Sequence, residues 1–134
     1  VAVDAAPEVG GADRGPRPME LVLVALGGCT GLDVVSILRK MRQPLAELIL
    51  EIEGHRAPEH PKVYTEITVC YRLKGEGLDP EKVARAVRLS AERYCSVGNM
   101  LNRVARLRYE CEVNGQRFAL EEPPPAGGAA RDGS

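Results

Sequence analysis

From Leu21 to Leu38 the chain is almost uncharged: Leu-Val-Leu-Val-Ala-Leu, a Gly-Gly pair, Cys29, then a second apolar stretch whose single charged residue is Asp33. A helix that is apolar on every side cannot lie on the surface of a water-soluble domain and has to be surrounded. Thr30, Asp33, Ser36 and three glycines make it a poor bilayer span. The segment therefore predicts a buried central helix about which the remaining chain wraps. Pro18 suits the first helical position, where its missing N–H costs nothing. Arg39, Lys40 and Arg42 sit at the negative end of the helix dipole, and Pro44 stops the helix after about Arg42.

With 134 residues the chain supports one domain, expected over 1–121. The run from Pro123, rich in Pro, Gly and Ala, has little to bury, so 122–134 is expected to be disordered. A net charge of −1 offers no general basic face for nucleic acid, and four Tyr, one Phe and no Trp provide no stacking platform. The opening Val-Ala-Val-Asp is unlike a secretory leader. The expected address is cytoplasmic, with no membrane partner, and there four cysteines rest as thiols.

Around the central helix the pattern predicts a short strand over 1–5 and a loop from Pro7 to Pro18. Strands follow at Leu48–Glu53 and Val63–Leu73, with a turn region at 55–61 between them. Asp79 is an N-cap for a helix with Val83, Ala84, Val87, Ala91 and Tyr94 on its apolar stripe. Ser96 reads as a second N-cap, opening a helix that buries Val97, Met100, Leu101 and Val104. Leu107 to Val113 alternates as a strand, and Asn114-Gly115 turns it into a hairpin.

Counting helically, Asp33, Ser36 and Lys40 share a face with Cys29. That line suits a polar pocket, and Cys29 as core filler beside a buried Asp33 ion pair suits it as well. Gly27 and Gly28 allow a backbone or ligand close to the sulfur. Cys95 precedes a helix start, where partial positive charge favours thiolate; a helix-corner core residue is the other reading. Cys70 and Cys111 lie mid-strand and read as structural. No Cys-x-x-Cys occurs, and His55 and His60 lie far in sequence from Cys29 and Cys95, so no metal site is signalled.

Two segments carry a family resemblance. Arg14-Gly-Pro-Arg-Pro-Met-Glu-Leu-Val-Leu-Val-Ala-Leu-Gly-Gly-Cys29-Thr-Gly-Leu-Asp33 resembles the stretch around the first cysteine of the osmotically inducible protein C (OsmC) family. Tyr94-Cys95-Ser96-Val97-Gly98-Asn99 resembles the stretch around the second. The resemblance implies an α+β fold of antiparallel sheets wrapped around central helices, in an intertwined homodimer with active sites at the subunit interface.

It further implies a thiol-dependent peroxidase for organic hydroperoxides, with Cys29 peroxidatic, Cys95 resolving, a dithiol as reductant and no cofactor. The related organic hydroperoxide resistance proteins carry an activating Arg in N-terminal strands, which are expected to be short or missing here. They place a carboxylate ten residues before the first cysteine, where this chain has Met19, with Glu20 one residue later. Arg14, Arg17, Glu20 and Asp33 are the auxiliary candidates. The competing expectation is a non-catalytic, redox-responsive small-molecule-binding dimer of the same fold.

Overall fold

The computed structural model describes residues 1–120. The central helix α1 spans Pro18–Lys40, β1 Glu47–Arg56, β2 Tyr64–Lys74, α2 Pro80–Leu89, α3 Ser96–Leu101, β3 Arg106–Val113 and β4 Gln116–Ala119. The strands form one sheet in the order β1-β2-β3-β4. β1–β2 and β3–β4 are antiparallel hairpins, but β2 and β3 pair in parallel. The architecture is α+β, and the all-antiparallel expectation is corrected to a mixed sheet. The reason is the connection: α2 and α3 return the chain to the end from which β2 started, and a crossover of that kind delivers a parallel strand.

The register gives the sheet two different faces. Leu48, Leu50 and Ile52 stand opposite Leu73, Tyr71 and Val69, which stand opposite Val113, Cys111 and Tyr109. This face meets the helices, and its β2 and β3 members are buried. The other face is charged: Arg72 pairs with Glu51 at 2.8 Å and Arg117 with Glu110 at 3.1 Å. α1 lies close against β1 because it offers glycine there. A Cβ on Gly27 would stand 2.7 Å from Ile52 Cδ1, and one on Gly31 2.7 Å from Leu50 Cδ1. Gly27 thus serves helix–strand packing, not access to the sulfur. Gly28 next to it faces open space.

Several expectations need correction. Residues 1–5 form no strand: Val1 and Val3 are exposed, and the segment closes into a loop on Asp4. The Asp4 carboxylate accepts backbone N–H groups from Arg14, Ala5 and Ala12, which hold its pKa below the ordinary range. With local donors to satisfy and no strand partner among the described residues, the alternation has no sheet to join.

α1 is long and apolar enough to cross a membrane by composition. Leu26, Thr30, Val34 and Leu38 are buried on one side of it, but Val24 and Leu32 on the other are 63% and 76% exposed. A single chain therefore leaves part of the helix uncovered. Tyr94 is likewise exposed, because α2 does not continue regularly to it: Ser90–Tyr94 is a π-helical turn, and the wider winding rotates the stripe. Met100 and Val104 are exposed as well, so α3 buries less than its spacing predicts. The tail at 122–134 lies outside the described residues.

Candidate functional site: two thiols and a carboxylate at a helix junction

Three elements converge beside the middle of α1. Cys29 and Asp33 come from that helix, one turn apart, and Cys95 comes from the corner between the π-helical turn and α3. The two sulfurs and a carboxylate oxygen of Asp33 all lie within 4.8 Å of one another. Both cysteines are free thiols; Cys29 is half-buried and Cys95 is buried. A disulfide needs sulfurs about 2.05 Å apart, so a bridge would require the two sulfurs to come to bonding distance from within that 4.8 Å.

Local geometry explains how Cys95 is held. The sequence marks Ser96 as the helix cap, but Cys95 itself takes that position: its backbone is extended, and its Sγ accepts the Gly98 N–H at 3.2 Å. Space for the sulfur depends on Gly98, whose added Cβ would stand 3.2 Å from it. The Cys95 N–H donates to the Ser90 carbonyl at 2.7 Å, and Asn99 Nδ2 donates to the Cys95 carbonyl at 2.9 Å.

Electrostatics at Cys95 run against the expected lowering by a helix terminus. Burial pushes its pKa up to about 12, the Gly98 N–H opposes the rise, and Cys29 and Asp33 add to it. Desolvation of the thiolate outweighs one N–H donor on a short helix. Cys95 therefore rests as a thiol.

Asp33 is held by a buried hydroxyl relay. Ser90 Oγ donates to Asp33 Oδ2 at 2.9 Å, Thr30 Oγ1 lies 2.8 Å from Ser90 Oγ, and Tyr71 OH lies 2.7 Å from Thr30 Oγ1. A hydroxyl has one proton to give. Ser90 spends its proton on the carboxylate, so Thr30 donates to Ser90 and Tyr71 to Thr30. All three bonds point their protons toward Asp33. Burial also raises the Tyr71 pKa well above its ordinary value, which keeps the phenol a donor. The ion-pair reading of Asp33 is thereby corrected: its partner is a hydroxyl. Ser36 and Lys40, on the same helical line, are exposed.

The N-terminal candidates are placed elsewhere. Glu20 Oε1 accepts the Arg17 N–H at 2.8 Å, closing the first turn of α1. The Arg17 guanidinium pairs with the Asp13 carboxylate and lies 3.5 Å from the Gly15 carbonyl. Arg14 is exposed, and its backbone N–H serves Asp4. The contacts that these residues make are within the N-terminal loop and the helix start. Glu20 does, however, line an open groove of about 600 Å³ with Leu23, Val24, Gly28, Leu50 and Ile52. Gly28 brings that groove to the residue next to Cys29.

The remaining cysteines occupy opposite faces of the sheet. Cys111 is fully buried beneath the helices, where burial pushes its pKa up to about 12. Cys70 lies on the charged face under Arg117, whose Nη2 is 3.5 Å from the sulfur. Sequence reasoning did not single out Ser90, Thr30, Tyr71 or Gly98. The available signal was polar residues on apolar stripes: Ser90 three positions after Val87, and Thr30 inside α1.

An α+β domain with a two-thiol junction built on a central helix is the class that fold and site define. The family model described as OsmC-like protein matches residues 10–110, and this chain belongs to that family. Protein YhfA of Escherichia coli K12 is 44% identical over 101 residues, covering 75% of each chain. A hypothetical protein from Aquifex aeolicus VF5, known from a crystal structure, is 38% identical with a TM-score of 0.73, over 79% of this chain and 82% of that one. An organic hydroperoxide resistance protein from Elizabethkingia anophelis shares the fold at 12% identity and a TM-score of 0.66, over 82% and 78%.

Proposed function

We propose that this protein is a thiol-dependent peroxidase that reduces organic hydroperoxides through Cys29 and Cys95. The observation that carries the reading is the convergence of a half-buried thiol and a buried thiol within 4.8 Å. Membership of a family that includes organic hydroperoxide resistance proteins supports it. The Cys29 thiolate attacks the peroxide O–O bond, the leaving alkoxide takes a proton and departs as an alcohol, and Cys29 becomes a sulfenic acid. The Cys95 sulfur then displaces hydroxide, which leaves as water with the Cys95 proton, and a disulfide forms. A dithiol restores both thiols by exchange and is itself oxidised to a disulfide.

The division of labour follows from exposure. Cys29 is the thiol a substrate reaches, and Cys95 is protected until a sulfenic acid forms beside it. The groove along Leu23, Val24, Leu50 and Ile52 is apolar and suits an alkyl or lipid-like chain. Arg17 and Arg14, in the loop before α1, are the candidate cations for holding the Cys29 thiolate. Glu20 on the groove's rim is the candidate carboxylate for positioning them, and Asp33 is the candidate group for orienting the pair. Val24 and Leu32, with Met100 and Val104, leave apolar surface that a second copy would cover, which supports a homodimer.

The test is steady-state consumption of cumene hydroperoxide with a small dithiol. Turnover that disappears in Cys29→Ser supports the proposal. Turnover that Cys29→Ser retains, or none in the reduced parent protein, rejects it.

A further inference from the structure

The site combines two sulfur donors with an oxygen donor, and its charge balance is unusual. With both thiols ionised it holds three negative charges, yet the partner of Asp33 is a neutral hydroxyl. Zinc-class ions bind thiolate sulfur at about 2.3 Å and carboxylate oxygen at about 2.0–2.2 Å, in tetrahedral geometry. Donor atoms on such a shell stand somewhat under 4 Å apart, and the three donors here already lie within 4.8 Å of one another. Ligand carboxylates are characteristically anchored by hydrogen bonds from behind. The Tyr71–Thr30–Ser90 relay does that through Oδ2 and leaves the other oxygen available.

We propose that reduced Cys29 and Cys95, together with Asp33, bind a thiophilic divalent cation of the zinc class. Binding releases two thiol protons and leaves a fourth coordination position open. Disulfide formation abolishes the site: a two-electron oxidant takes one electron from each sulfur, the S–S bond forms and the cation departs. The donors come from α1 and a distant corner, so no short cysteine spacing announces them. Binding itself does not depend on the peroxidase reading. A cation held by both sulfurs would hold peroxide chemistry off while it stays.

The experiment is titration of the reduced full-length protein with cobalt(II), followed by thiolate-to-cobalt charge-transfer absorption in the near ultraviolet, then back-titration with zinc. One equivalent per chain is expected, with loss of the band in Cys29→Ser and retention in Cys70→Ser. Ser90→Ala keeps all three donors but removes the anchor of Asp33, and should weaken zinc binding about 10- to 100-fold without changing the band. Protein oxidised to the Cys29–Cys95 disulfide by a diazene oxidant, with no peroxide present, should show no band. No band in the reduced protein, or an unchanged band in Cys29→Ser, overturns the proposal. Either result leaves peroxide turnover to be judged by its own assay.

Discussion

The chain carries two pairs of cysteines, and the contrast between them shows what brings two thiols to one point. Cys70 and Cys111 lie on adjacent strands, one register position apart: Cys70 stands opposite Glu110, and Cys111 opposite Tyr71. Side chains alternate along a strand, so that single step sends the two sulfurs to opposite faces of the sheet. Cys29 and Cys95 are far apart in sequence, yet a helix and a helix corner aim them at one point. Closeness along the ladder separates one pair, and convergence of irregular backbone unites the other. Polar support differs as well. Cys95 has a backbone donor and Asp33 a hydroxyl relay, whereas Cys111 is simply packed.

Substituting both pairs gives the largest expected contrast. Cys29→Ser should lower peroxide reduction by at least about 100-fold, because the nucleophile is gone. Cys70→Ser should leave the rate within about twofold, since Cys70 sits on the opposite face of the sheet from the helices. Equal losses in a steady-state assay would erase the distinction.

A pH series sharpens it next. The folded pKa values of Cys95 and Cys111 are raised to about 12 from an ordinary 9.0. Between those values the folded chain holds more thiol protons than the unfolded one. The stabilisation is therefore complete below pH 9 and is lost as pH rises toward 12, by up to about 1.4 kcal/mol per pH unit for each thiol. Denaturant midpoints measured across this range should fall, and a Cys111→Ala background should fall less steeply. A flat profile would contradict the burial of these thiols.

Ser90→Ala should cost about 1–3 kcal/mol in urea unfolding, because it strands buried Thr30 and removes the donor to Asp33. It should also slow disulfide closure, whereas a Cys111 substitution should not. At the small end, Glu20→Ala should cost about 0.5–2 kcal/mol by loosening the first turn of α1. A rate that falls at the same time would assign Glu20 to the chemistry.

How much the sequence disclosed follows the same division between regular and irregular backbone. α1 was bounded correctly at Pro18 and within two residues at its end, since proline and the dipole act locally. The hairpin at Asn114-Gly115 and the inward set Leu107, Tyr109, Cys111 and Val113 also emerged, because period-two alternation is a local signal. The parallel pairing of β2 with β3 was hidden, since it depends on where a crossover lands. The π-helical turn at Ser90 was hidden too, as nothing in Ser-Ala-Glu-Arg-Tyr forbids a regular helix. That one turn brings Ser90 to Asp33 and Cys95 to its cap. The cysteine pair was visible through resemblance, while the groups around it required the three-dimensional junction.

The central claim is that Cys29 and Cys95, and not the strand cysteines, form the redox pair. Peptide mass mapping after exposure of reduced protein to cumene hydroperoxide tests it most directly. The account predicts a Cys29–Cys95 disulfide, absent in Cys29→Ser, with Cys70 and Cys111 still thiols. A Cys29 that stays a thiol under excess peroxide, or a disulfide through Cys70 or Cys111 instead, would contradict it.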